Sequence, residues 1–157
     1  MATKTNAVRL VQQAGIPCRE AFYEFDEQDL SGGHAAQAIG MPEEQVFKTL
    51  VARGEKTGIN VFCIPVCCEL DLKKAAKAAG DKNMELVAVK ELLGLTGYIR
   101  GGCSPVGMKK HYPTFIDETC TLWDEIAVSA GVRGHQMIVP PQPLAELVGA
   151  ELTDIIV

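Results

Sequence analysis

Two apolar runs, residues 46–52 and 59–66, flank the short loop Glu55-Lys56-Thr57-Gly58, and this pairing constrains the fold more than any other feature of the chain. A short glycine-containing loop between apolar runs is typical of a β-hairpin. The first run carries one charge, Lys48, on a strand face that is otherwise apolar. Such a charge needs a partner or a function, so Lys48 is the first candidate functional residue. The alternative is an edge-strand lysine that discourages aggregation.

The rest of the chain alternates helical and strand patterns, and glycine marks many of the short connections. Helical spacing and cap residues predict helices over residues 7–14, 32–39, 70–79, 89–95 and 143–148. Apolar and aromatic runs predict further strands over residues 19–25, 114–116, 126–129 and 137–139. The mixture favours an α/β or mixed α+β fold with a mixed sheet.

Composition limits the class of protein. The 157 residues are 47% apolar, with no repeat or linker, so we expect a single domain over residues 1–157. A net charge of −5 argues against non-specific coating of nucleic acid, although the lysines of residues 73–77 or 109–110 could make local contacts. Taken alone, each basic group is more typical of a solvated surface. Without a long apolar stretch or a secretory segment near Met1, we expect a cytoplasmic protein with no membrane contact.

The cysteines and histidines show no metal-binding spacing. No Cys-x-x-Cys occurs among the six cysteines, and the three histidines are not spaced as zinc ligands. We therefore expect no metal and no cofactor. Nothing in the sequence indicates an oxidising compartment, so we expect reduced thiols. The chain also lacks the Gly-Lys-Ser/Thr ending of a phosphate-binding loop and a Gly-x-Gly-x-x-Gly after a strand, so nucleotide binding has little support.

A glycine-rich segment over residues 97–110 is the second candidate for function. Its paired glycines Gly101 and Gly102 let a backbone approach a ligand closely and present N–H groups to an anion, and Pro105 fixes the far end of the turn. Such a loop could hold a developing oxyanion. The alternative is a tight connection without a role in chemistry.

Four blocks in chain order carry a resemblance to a known family. They are Phe47-Lys48-Thr49-Leu50, the helix sequence of residues 70–77, the loop of residues 97–110, and Val128-Ser129 with Arg133-Gly134. Together they resemble the YbaK-type Cys-tRNA(Pro) deacylases, which are related to the editing insertion domain of bacterial prolyl-tRNA synthetase.

The resemblance implies a curved, barrel-like mixed sheet surrounded by helices, with the site in a cleft at the sheet. It also implies an enzyme that removes cysteine from mischarged Cys-tRNA(Pro), in association with prolyl-tRNA synthetase. Two alternatives stay open: a deacylase for Ala-tRNA(Pro) or another mischarged tRNA, and a non-catalytic module that binds the synthetase or tRNA.

The same resemblance assigns the candidate site residues. Lys48 and Gly101 are the expected catalytic positions, and the expected substrate-binding residues are Tyr23, Thr49, Gly102, Ser104 and Ser129. In this family the thiol of the substrate cysteine is thought to attack its own ester carbonyl, which releases tRNA and a cyclic thiolactone without a general-base histidine. Cys103 is expected to be non-catalytic, unless the neighbouring anion-binding loop lowers its pKa.

Three segments depart from the family pattern. Residues 31–34, Ser-Gly-Gly-His, stand where relatives often have an aromatic residue followed by Gly-Asp-Glu, and Val132 removes a basic residue that relatives carry. His135-Gln136 stands where relatives often have Leu-Asp, so a pocket carboxylate is missing. The changes put amino-acid selectivity and substrate engagement in question. His34 could replace the aromatic residue or be an ordinary helix-surface histidine.

Overall fold

Two separate sheets organise the fold in the computed structural model, which describes residues 4–157. The strands are β1 Arg19–Phe22, β2 Phe47–Gly54, β3 Gly58–Pro65, β4 Glu85–Leu86, β5 Thr114–Asp117, β6 Ile126–Ser129, β7 His135–Val139 and β8 Ala150–Thr153. The helices are α1 Asn6–Gln13, α2 Gly32–Ile39, α3 Leu72–Ala79, α4 Val89–Thr96 and α5 Pro141–Val148, with 3-10 turns at Glu43–Gln45 and Glu118–Leu122. In this part of the chain, none of the helices is both long and apolar enough to cross a membrane.

The larger sheet has the strand order β4-β2-β3-β5-β8. The antiparallel hairpin of β2 and β3 forms as predicted, with Lys48 opposite Ile64. β5 and β8 add in parallel on the far side of β3, so the sheet is mixed. β4 is only two residues long and pairs with β2 at Ala52 and Arg53, which leaves the first half of β2 as a sheet edge.

The smaller sheet is antiparallel, with the order β1-β7-β6. It meets the larger sheet at one parallel bridge, where Val46, just before β2, lies opposite Ala127 of β6. Beyond that bridge β2 and β6 are not paired, so a gap opens between the two sheets. The predicted mixed α/β class is confirmed, and the strands form two open sheets that do not close into a barrel.

The core fills the space between the sheets and helices. Its largest cluster joins α1 and α5 to the inward faces of the strands and includes Val8, Phe47, Ile116, Met137 and Leu144. A second cluster packs α3 against the hairpin through Ala52, Phe62, Ile64 and Ala75. Lys48 shares the strand face of Ala52 and therefore lies at the margin of this apolar cluster.

Most element boundaries follow local signals. Helix α2 begins after Ser31, whose hydroxyl accepts a hydrogen bond from the His34 N–H (3.2 Å), and it ends at Gly40, which adopts a positive φ of 72°. Strand β1 ends at Phe22, three residues earlier than the aromatic pattern predicts. The Tyr23 N–H still donates to the Gly134 carbonyl (2.9 Å), and the chain then leaves the sheet.

Strands β4 and β8 were not predicted. β4 has only two residues, and β8 has the mixed sequence Ala-Glu-Leu-Thr. Both lie at the ends of the larger sheet and are stabilised by pairing with β2 and β5 rather than by their own sequence. Such strands have no periodic signal long enough to detect.

Asp81 fastens the loop between β2 and β3. Its carboxylate accepts hydrogen bonds from the backbone N–H groups of Lys56, Thr57 and Lys82 and from the Thr57 hydroxyl (2.7 Å). Desolvation alone would raise the pKa of Asp81, but these hydrogen bonds outweigh it and hold the pKa well below its usual range.

Acid should therefore weaken this hairpin. A folded-state pKa below the unfolded value gives stability that is fully present above about pH 4 and is lost as the pH falls toward the folded pKa. We expect Asp81→Asn to be less stable than wild type at pH 7 and to lose less stability on acidification. Urea unfolding at a series of pH values measures both, and parallel pH profiles for the two proteins would contradict this assignment.

Candidate active site

A cavity of about 430 Å³ opens where β2 and β6 separate. This size is in the range of small-molecule sites, which is about 300–1,000 Å³. Its walls come from the first half of β2, the start of α2, the segment before and within α4, and the glycine-rich loop. The polar and charged side chains among its lining residues are Tyr23, Ser31, Lys48, Thr49, Arg100, Cys103, Ser129 and Gln136.

The backbone of β2 presents polar groups to this cavity. The Val66 N–H donates a hydrogen bond to the Val46 carbonyl (2.8 Å), and this bond sets the pattern of the β2–β3 ladder. The backbone N–H and C=O groups of the even-numbered residues of β2 therefore point toward β3. The backbone groups of the odd-numbered residues point to the opposite edge of β2, where the Val51 carbonyl accepts a hydrogen bond from the Val87 N–H (3.0 Å). The N–H and C=O groups of Thr49 lie on the same edge, beside the cavity.

Strand β6 also presents backbone polar groups to the cavity. The Ala130 N–H donates to the His135 carbonyl (3.0 Å), which sets the phase of the β6–β7 ladder and turns the backbone groups of Ser129 away from β7. The Ser129 hydroxyl accepts from the Gly131 N–H (3.1 Å). Two strand edges thus face one cleft and offer main-chain donors and acceptors to a ligand.

Lys48 is the charged group of the β2 wall. It is half-buried and forms no ion pair or side-chain hydrogen bond with the residues that the structure describes. Among the residues that line the cavity, the only other charge is Arg100, and no carboxylate is present. The cavity therefore has a positive potential that suits an anion or a developing negative charge.

The glycine-rich loop approaches Lys48 through Gly101, which adopts a φ of +86°. An L side chain is strained in this conformation, so glycine is required by the backbone. Gly102 faces the other way, where a Cβ would lie 3.1 Å from the backbone of Val132 and Arg133. The loop is further held by the Arg133 Nε–H, which donates to the Arg100 carbonyl (2.9 Å).

Tyr23 and the first residues of α2 line the cavity. The Tyr23 ring meets the His34 ring edge-on, with centroids 6.2 Å apart. His34 is not among the residues that line the main cavity, and its Nε2 is 3.3 Å from the Glu24 carbonyl oxygen. Of the two sequence interpretations, the placement favours a helix-surface histidine, one that contacts Tyr23.

Five of the seven predicted site residues line the one cavity: Lys48, Gly101, Tyr23, Thr49 and Ser129. The other two, Gly102 and Ser104, do not. Ser104 is fully buried, and its hydroxyl accepts from the Val106 N–H (3.2 Å), so it shapes the loop from inside. Direct substrate contact by Gly102 and Ser104 stays a prediction, one that their placement does not favour.

Burial argues against the alternative for Cys103, in which the anion-binding loop lowers its pKa. Its thiol is buried, and desolvation raises its pKa to about 12. The buried Cys63 thiol, whose pKa is also raised to about 12 by desolvation, is equally unsuited to attack. Cys103 is the one cysteine among the residues that line the cavity, and its thiol is neutral near pH 7, so the lining offers no cysteine nucleophile.

Sequence reasoning missed two features of the cavity lining. Arg100 lies in the glycine-rich segment and has no pattern to single it out, and the glycines that open α2 stand out in the sequence only as departures from the family pattern. A Cβ on Gly32 would lie 2.2 Å from the Val66 side chain, so the helix start packs directly against the hairpin.

In residues 4–157 no cluster of three metal-ligating side chains occurs.

The cleft between the two sheets is lined by Lys48, which makes no ion pair within residues 4–157, and by the glycine-rich loop. Comparison with known families shows to which class of protein the chain belongs. The sequence profile of the aminoacyl-tRNA editing domain matches residues 32–147. The chain belongs to the aminoacyl-tRNA editing domain family, and the resemblance found in its sequence is confirmed.

One named protein and two solved structures are similar to this chain over nearly its whole length. The chain is 45% identical over 152 residues to EbsC of Enterococcus faecalis, named as a candidate Cys-tRNA(Pro)/Cys-tRNA(Cys) deacylase, with 97% of this chain and 93% of that protein covered. A crystal structure described as a candidate trans-editing enzyme for prolyl-tRNA synthetase matches with a TM-score of 0.80 and 28% identity over 99% of each chain. The protein APE2540 has the same fold, with a TM-score of 0.85 and 22% identity over 95% of this chain and 97% of that one.

Proposed function

We propose that the whole chain acts as one editing domain that removes cysteine from mischarged Cys-tRNA(Pro) in trans. The observation that carries the proposal is the position of Lys48, a lysine without an ion pair in the described chain, in the same cavity as Gly101. The name of EbsC and the description of the prolyl-tRNA synthetase trans-editing relative support this substrate.

The residues of the cavity suit an activated ester. An aminoacyl ester needs its carbonyl to be held, the negative charge on its oxygen to be stabilised, and a nucleophile to be admitted. Lys48 and the backbone amide of Gly101 are the groups that would stabilise the oxyanion, and the edges of Thr49 and Ser129 would position the aminoacyl group. Tyr23, which also lines the cavity, would contact the aminoacyl group.

The nucleophile in this proposal is the thiol of the substrate. The sulfur loses its proton and bonds to the ester carbonyl carbon, and collapse of the intermediate breaks the bond to the tRNA 3′ oxygen, which takes up a proton. The products are a cyclic thiolactone and free tRNA. The neutral Cys103 thiol in the cavity wall agrees with this route, since the route needs no thiolate from the protein. Alanine and proline lack the thiol and would be spared.

Partner and location follow from the same substrate. We propose that the protein works in the cytoplasm beside prolyl-tRNA synthetase, where the mischarged tRNA is released. The net charge of −5 supports a partner that delivers tRNA, since the chain is not basic enough to hold a whole tRNA by phosphate contacts alone.

A panel of charged tRNAs tests the proposal. We expect purified protein to discharge Cys-tRNA(Pro) and to leave Ala-tRNA(Pro) and Pro-tRNA(Pro) at the uncatalysed rate, with Cys-tRNA(Cys) included because of the name of EbsC. Discharge of Ala-tRNA(Pro) alone would keep the enzyme class but overturn the thiol route. Binding of Cys-tRNA(Pro) without discharge would indicate a non-catalytic module.

A further inference from the structure

Gln136 carries a buried polar atom that the protein itself does not satisfy. Its side chain lies on β7 among the residues that line the cavity, the residue is only 6% exposed, and its Oε1 has no hydrogen-bond partner among the described residues. A buried acceptor without a partner costs about 1–3 kcal/mol. Such an atom in a native protein needs an explanation, and its position in the cavity wall points to a ligand.

The charges near Gln136 indicate which kind of ligand group would find few partners in this cavity. The residues that line the cavity include the cations Lys48 and Arg100 and no carboxylate. On the adjacent strand β1 the carboxylate of Glu20 is engaged by the His135 Nε2 (2.9 Å). Because strand side chains alternate, His135 and Gln136 face opposite sides of the sheet, and Glu20 pairs on the side of His135.

An aminoacyl ester brings an α-amine into this cavity. The amine is a hydrogen-bond donor that needs an oxygen acceptor, and no lining carboxylate offers one. The unpaired Oε1 of Gln136 does. The register pairs Gln136 with Ser129, so the glutamine lies next to the cleft edge that would position the aminoacyl group.

We propose that the Gln136 Oε1 accepts a hydrogen bond from the α-amine of the bound aminoacyl group and so selects α-amino esters. This inference rests on the proposed deacylase function and adds a specificity-determining residue to it.

Two tRNA esters that differ only in the amine test this contact. Cys-tRNA(Pro) is compared with tRNA(Pro) carrying 3-mercaptopropionate, which keeps the thiol and lacks the amine. We expect Gln136→Leu to lower kcat/KM for Cys-tRNA(Pro) by about tenfold, the scale of one hydrogen bond, and to leave the mercaptopropionyl ester unchanged. Gln136→Glu keeps an acceptor of the same reach and should restore discharge of Cys-tRNA(Pro).

Stability and a matched control separate this role from a structural one. Replacing the unpaired amide by leucine should leave the thermal unfolding midpoint unchanged or raise it. The Asn60 Oδ1 is also buried without a partner in the described chain but lies outside the cavity, so Asn60→Leu should not change the ratio of kcat/KM for the two esters.

The outcomes that would overturn the contact differ from those that would overturn the function. If wild-type protein discharges Cys-tRNA(Pro) and Gln136→Leu slows both esters equally, the amine contact is overturned and the proposed function stands. The amine contact is also overturned if wild-type protein handles both esters equally well, a result that does not require any variant to fold. If wild-type protein discharges neither ester, the proposed function fails, and this inference falls with it.

Discussion

Lys48→Ala should abolish most deacylation of Cys-tRNA(Pro) while the protein stays folded. Removing one group that stabilises an oxyanion in a preorganised site lowers kcat by about 10²–10³. The fold should tolerate the change, because Lys48 is half-buried and makes no ion pair within the described residues. Single-turnover discharge of Cys-tRNA(Pro), with thermal unfolding recorded on the same preparation, measures both effects.

A lysine outside the cavity provides the control for that experiment. Lys82 is exposed in the loop after α3 and is not among the cavity residues, so Lys82→Ala removes the same charge from the protein without touching the site. We expect its rate to stay close to that of wild type, because the change is remote from the chemistry. Equal losses in the two variants would mean that overall charge, and not the cavity, governs the rate.

Gly101→Ala is the second large expected effect, and it acts through the backbone. The residue has a φ of +86°, where an L side chain is disfavoured by about 1–2 kcal/mol. Its Cβ would lie at an ordinary contact distance of 3.4 Å from the side chains of Leu30 and Arg133, so the strain comes from the backbone, and the loop must shift if that strain is to be relieved. A misplacement of about 1 Å can lower a rate about 10²-fold, and we expect a loss on that scale in single-turnover discharge.

Gly80→Ala separates the backbone strain from the role of the loop. Gly80 has a similar φ of +75°, and a Cβ there would meet nothing within 4 Å. It ends α3 outside the cavity. Both variants should lose similar stability in urea unfolding, but only Gly101→Ala should lose activity. Retained activity in Gly101→Ala would remove the loop from the mechanism.

The hairpin and the lysine on it could be predicted because their signals are local. A short glycine loop between apolar runs specifies the β2–β3 pairing, and alternation places Lys48 on an apolar face. The two interpretations of Lys48 could not be separated from the sequence, since that required knowing where β4 stops. Because β4 pairs only with Ala52 and Arg53, Lys48 lies on an open edge, and that edge is a wall of the cavity.

The remaining parts of the site depend on tertiary packing. The bridge between Val46 and Ala127 brings β6 beside β2, and neither residue carries a sequence signal for that contact. The family resemblance placed Ser129 near Lys48, but it could not show that Gly102 packs against the backbone of Val132. It also could not show that burial raises the pKa of Cys103, because burial is a property of the folded chain.

A crystal structure with a stable substrate analogue tests the central claim most directly. The analogue is cysteine joined to 3′-amino-3′-deoxyadenosine by an amide, which keeps the amine, the thiol and the carbonyl of the aminoacyl group but cannot be discharged. We predict that its carbonyl oxygen lies within hydrogen-bond distance of the Lys48 Nζ and the Gly101 N–H, in the cleft between β2 and β6. An analogue bound outside this cleft, or with its carbonyl turned away from Lys48, would contradict the account.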